Sequence, residues 1–109
     1  MDENIIDTTD FSGHRVVFTR KKWKEKSSVH AELSNNTFMR NIKKAIENPH
    51  EIWQDKDDET NKVCCYWKYS VNTYVKVIIW ISDDPRRVVS AFETNYIKET
   101  KYPKLRRLK

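Results

Sequence analysis

Apolar and polar positions change their period about half-way along the chain. HRVVFTR (14–20) sets β-branched and aromatic residues in a row, which predicts a first strand. KKWKEK after it lacks strand-forming residues and predicts a short helical turn. Ser27 or Ser28 can cap a further turn that carries His30 and Leu33. In SNNTFMRNIKKAIENP, Phe38, Ile42, Ala45 and Ile46, with Met39 beside them, recur at helical spacing and share one face. Asn35 or Asn36 can cap that helix. Asn48-Pro49 ends it, because proline disfavours helical geometry in the residue before it.

From EIWQD onward the period becomes two. EIWQD predicts a short strand and KDDETN a polar turn; KVCCYWKY predicts a strand, SVNT a turn. YVKVIIWI is the most apolar segment. It places Val75, Val77, Ile79 and Ile81 on one face and Tyr74, Ile78 and Trp80 on the other, so both faces are covered and the strand is central. SDDP turns the chain into a last strand, RRVVSAFETNY. Alternation on both sides of SVNT predicts a hairpin. The expected organisation is a flexible acidic N-terminal arm over 1–12, a single α+β domain over 13–98 and a basic C-terminal tail over 99–109. The expected sheet is mainly antiparallel, with the helices on one face.

The chain's 109 residues suit one domain with a modest core. Only 38% of residues are apolar, but Trp 4, Tyr 5 and Phe 4 make that fraction bulky enough to fill it. Gly 1 argues against Rossmann and P-loop chemistry, where glycine lets the backbone approach phosphate. No apolar run is long enough to span a membrane. MDENIIDTTD is acidic, unlike a signal or transit peptide, so the expected location is cytoplasmic. Cys64 and Cys65 are adjacent and would point to opposite faces of a strand. They read as packed thiols in a reducing compartment, not as zinc ligands. Neither a metal nor another cofactor is expected.

Charge adds the first functional hint. Lys+Arg 21 against Asp+Glu 16 gives +5. The cations gather in RKKWKEK (20–26) and KETKYPKLRRLK (98–109), the acids in the arm and in DKDDE (55–59). An uneven basic surface suits a polyanion, most often nucleic acid.

The ordered set HAEL, a helix ending IENP, YWKY, YVKVIIWI and VVSAFETNY resembles the phage-type branch of the barnase–EndoU–colicin–RelE-like nuclease superfamily. The resemblance spans about residues 14 to 98. It implies a metal-independent ribonuclease, in many members a toxin, with small helices packed on an antiparallel sheet of about four strands. It also implies RNA as substrate and an acidic antitoxin or immunity protein as a candidate partner. Carried over by position, it points to His30, Lys68, Ser90 and Thr94 as catalytic residues. Ser90 stands where members carry Thr, and it keeps the hydroxyl.

Elementary chemistry agrees with such an assignment. Metal-free RNA cleavage turns the 2′-hydroxyl onto the neighbouring phosphate. It needs a proton acceptor, a proton donor for the leaving 5′-oxygen, and donors for the crowded phosphate oxygens. His30 exchanges protons near neutral pH. Arg15, Lys22 and Lys68 offer charge-assisted bonds to phosphate, and Ser90 and Thr94 offer hydroxyls. Trp23, Tyr66 and Trp67 are candidate base-stacking rings, although Trp23 and Trp67 also read as core or rim aromatics. His14 and His50 stand at element ends and read as structural or solvated. Two other classes fit the same composition: a non-catalytic RNA- or DNA-binding module, and a protein-interaction domain for an acidic partner. A cleft joining His30, Lys68 and a hydroxyl would separate the nuclease from both.

Overall fold

Phe38, Ile42, Ala45 and Ile46 form the buried face of α2 (Asn36–Glu47) in a computed structural model that describes residues 3–109. Asn35 is the cap: its side-chain oxygen accepts the N–H groups of Thr37 and Phe38 at 2.8 and 3.1 Å. The KKWKEK segment is α1 (Arg20–Ser27), capped by Thr19. Ser27 and Ser28 close this helix by donating to the carbonyls of Lys24 and Glu25, so they end α1 and do not start the next turn. That turn is a short 3-10 segment, Ala31–Ser34, which buries Leu33.

The strands are β1 (Asn4–Thr9), β2 (Arg15–Thr19), β3 (Glu51–Gln54), β4 (Lys62–Ser70), β5 (Thr73–Trp80) and β6 (Arg86–Thr94). They form one sheet in the order β1-β2-β6-β5-β4-β3. The expectation of about four antiparallel strands is therefore corrected. The domain is broadly α+β, but the described residues form six strands, two α-helices and a mixed sheet, because β2 and β6 run parallel. The reasons are physical. In β1 the neighbours Ile5 and Ile6 blur the alternation, and Ile6 alone is buried, so local pattern does not announce a strand. The parallel joint is made after both helices and three further strands, and no local signal encodes so distant a pairing. The arm expected over 1–12 thus contains β1, and its first two residues lie outside the described residues.

β4 and β5 form the antiparallel hairpin that the alternation predicts, with Trp67 opposite Val75 and Cys65 opposite Val77. One face of the sheet carries Val16, Phe18, Val63, Cys65, Val75, Val77, Ile79, Val88 and Ala91, packed against α2 and Leu33. The chain after β6 does two things. Glu99, in a second 3-10 turn (Lys98–Lys101), folds over the opposite face. The last residues then run along β3, where Leu108 N–H donates to the Ile52 carbonyl at 2.7 Å and Gln54 N–H to that of Arg106 at 3.0 Å. This covers an edge that would otherwise expose unpaired backbone.

Candidate active site on the reverse face of the sheet

The face turned away from α2 is built of cross-strand rows. Register places Lys62, Trp80 and Arg87 in a first row, Cys64, Ile78 and Ser90 in a second, Tyr66, Lys76 and Phe92 in a third, and Lys68, Tyr74 and Thr94 in a fourth. A bulge between the partners of Ile78 and Ile79 is what lets Arg87 and Ser90, an odd number of residues apart, share this face.

The third row holds a buried ion pair. Lys76 is 6% exposed, in the middle of the most apolar strand. Its Nζ bonds Glu99 Oε2 at 2.9 Å and lies 5.4 Å from the Tyr66 ring centre and 5.7 Å from that of Phe92. Tyr66 donates its hydroxyl to Glu99 Oε1 at 2.5 Å. Burial and this carboxylate push the Tyr66 phenol far up, so it stays protonated and a donor. Beside the row, His30 stacks on Phe92 with ring centres 5.0 Å apart. It is held there from two sides. Its N–H closes the end of α1 on the Lys26 carbonyl, and Glu32, two residues on, accepts the Glu93 N–H at 3.0 Å. A cavity of about 250 Å³ opens over Tyr66, Lys76, Phe92, Thr94 and Glu99.

The expected site residues divide accordingly. Lys68 and Thr94 flank Tyr74 in the fourth row, with Lys68 Nζ 5.9 Å from the Tyr74 ring. Thr94 lines the cavity. Ser90 is on the same face one row below Phe92, and is buried. Tyr66 is fully buried with its hydroxyl engaged, and offers no open ring face to a base. Trp67 points to the other face. There it stacks between His50 and Tyr69, at 5.7 and 6.4 Å, beneath Lys44. Trp23 packs on the core and donates its indole N–H to Leu33 O. Arg15 is paired with Asp7 through two bonds, and Lys22 with Glu25 at 3.1 Å. His50 is structural: its Nδ1 accepts the N–H of Lys68 at 2.8 Å, which extends the ladder beyond β3.

Sequence reasoning passed over Lys76, Phe92 and Glu99 as site residues. Lys76 did leave a signal, as the lone charge in YVKVIIWI, since a lysine in a central strand requires a buried partner. Glu99 left none, because its partner is 23 residues away with the whole of β6 between them.

A family model described as phage-Barnase-EndoU-ColicinE5/D-RelE like nuclease2 matches residues 2–107. The chain belongs to that nuclease family. Its class of substrate is accordingly nucleic acid. Neither a curated protein nor a solved structure was found to match it. Among the described residues, no helix is long and apolar enough to cross a membrane, and no group of three or more His, Cys, Asp or Glu is placed to hold a metal ion.

Proposed function

We propose that this nuclease cleaves RNA at the third and fourth rows of the reverse face, by attack of the 2′-hydroxyl on the adjacent phosphate without a metal ion. The observation that carries the reading is the stacking of His30 on Phe92, the ring that also stands beside the buried Lys76 ammonium. A proton-exchanging group and a fixed cation thus share one ring, Phe92, and that ring and Lys76 line the cavity. His30 is the half-exposed acid/base that exchanges a proton with the 2′-hydroxyl or the 5′-oxygen. Lys76, Lys68 and the hydroxyls of Thr94 and Ser90 stabilise the charge that gathers on phosphate. Glu99 and Tyr66 position Lys76. The buried thiols Cys64 and Cys65, both pushed up by burial, suit a reducing cytoplasm. A toxin role, with an acidic antitoxin or immunity protein over the same face, extends the proposal.

The test is cleavage of a defined RNA in EDTA. His30→Ala is expected to slow it by about 10²–10⁴-fold with an unchanged melting temperature. Lys68→Ala is expected to slow it less, and His14→Ala, on an exposed turn, not at all. A parent protein that binds RNA and never cuts it would leave a non-catalytic binding module in place of this reading.

A further inference from the structure

At the opposite end of the same face lies a groove of about 360 Å³ that the cleavage chemistry does not use. Its floor is the first row, Lys62, Trp80 and Arg87, and its wall is the start of α1 with Lys21, Lys22 and Glu25. Four cations therefore face one carboxylate. Glu25 is taken up by Lys22, and Arg87 is paired outward with Asp83 at 2.7 Å, while Lys21 and Lys62 make no ion pair among the described residues. The indole N–H of Trp80 is buried here and finds no hydrogen-bond acceptor among the described residues. A buried donor left without an acceptor is costly, and structures rarely keep one that nothing ever satisfies. Converging cations and an unmatched donor ask for the same thing: an anionic oxygen.

We infer that this groove is a second phosphate-binding subsite, which holds the single-stranded nucleic acid at a phosphate remote from the one under attack. Trp80 lies four residue steps along β5 from Lys76. At about 3.3 Å per residue the groove is then about 13 Å from the reacting row, roughly four stacked nucleotides at 3.4 Å per step. The row between them, Ile78 with Ser90 and Cys64, carries no charged side chain of its own, and the Asp55 carboxylate beside it is buried and accepts from the Cys64 thiol at 3.4 Å. The subsite rests on the reading of this face as the nucleic-acid surface, and not on the assignment of His30.

Binding of a 2′-O-methyl oligoribonucleotide, which has no attacking hydroxyl, isolates it. Labelled probes of two and of about ten nucleotides, the second long enough for the span above, are titrated across a salt series. Lys21→Gln/Lys62→Gln is expected to weaken the long probe several-fold and to lower its salt slope by roughly 1 to 2, with the short probe unaffected. Trp80→Phe removes the donor together with part of the ring and is expected to weaken only the long probe. Arg40→Gln/Lys43→Gln, on the exposed side of α2 across the sheet, is the charge-matched control. Parent-like binding of the long probe by the Lys21/Lys62 variant overturns the subsite. So does an equal loss in the control, which would mean bulk charge, or an equal loss with the short probe. The outcome does not depend on Trp80→Phe folding well, because Lys21 is at the surface and Lys62 is half-exposed. A parent that binds the long probe through this groove but never cleaves RNA would sink the cleavage proposal and leave the subsite standing.

Discussion

Lys76 and Glu99 show how much a single buried pair can demand of its surroundings. Their side chains are 7% and 2% exposed, and each supplies the other's counter-charge. Removing one partner strands the other as an unpaired buried ion, which typically costs about 3–5 kcal/mol. Glu99→Leu and Lys76→Met are therefore each expected to lower stability by about that amount in urea unfolding. The double variant Lys76→Met/Glu99→Leu should recover much of the loss, since two apolar groups leave no charge stranded. Simple additivity of the two single losses would show that the ion pair is not the coupling. Tyr66→Phe, which deletes only a donor to Glu99, is expected to cost about 1.5–3 kcal/mol, the range for a hydrogen bond to a charged group. The pair also marks the limit of local reading. His30, Lys68, Ser90 and Thr94 could be named because each stands in or beside a recognisable segment. Lys76 acquires its role only when the segment after β6 folds back and brings Glu99 to it.

At the scale of elements, legibility follows the range of the forces. α2 was legible because its stripe, its Asn35 cap and its Asn48-Pro49 stop are all written within a few residues of one another. Asn35→Ala removes an oxygen that serves two N–H groups, and is expected to cost about 0.5–2 kcal/mol, read as a lower melting temperature with unchanged β4–β5 hydrogen exchange. The hairpin of β4 and β5 was legible for the same reason, from two alternating runs around a short turn. β1 was not. Its pairing with β2 sets one buried pair, Ile6 opposite Phe18, beside Thr8 opposite Val16, Asp7 opposite Val17 and Arg15 bonded to Asp7, too little for a hydrophobic period to show. The fate of the last residues was equally hidden, because they dock on β3 mostly by backbone hydrogen bonds, which any sequence can make.

For the whole molecule, the weak seam is the parallel joint. The β1–β2 hairpin is laddered to the rest of the sheet by two described residue pairs, Val16 opposite Arg86 and Val17 opposite Arg87. Asp10, fully buried at the side chain, spans that seam. It accepts the N–H groups of Ser12 and His14 and the Ser12 hydroxyl, and bonds Arg86 Nη1 at 2.8 Å across 76 residues of chain. Burial by itself raises its carboxyl, but these hydrogen bonds and the charge of Arg86 outweigh burial and hold it below the ordinary aspartate value of 3.8. A carboxyl depressed on folding adds stability that is complete above its unfolded pKa and is lost as pH falls through the folded one. Acid should therefore loosen the seam below about pH 3.8, and not at neutral pH. Native-state hydrogen exchange is expected to show the amides of β1 and β2 opening before those of β4 and β5 as pH drops through that window. Asp10→Asn should open the same hairpin already at pH 7 and flatten its dependence on acid, because Arg86 then has no carboxylate to lose. If β1 and β2 exchange in step with β4 and β5 at every pH, the sheet opens as one unit and the seam is not its weak point.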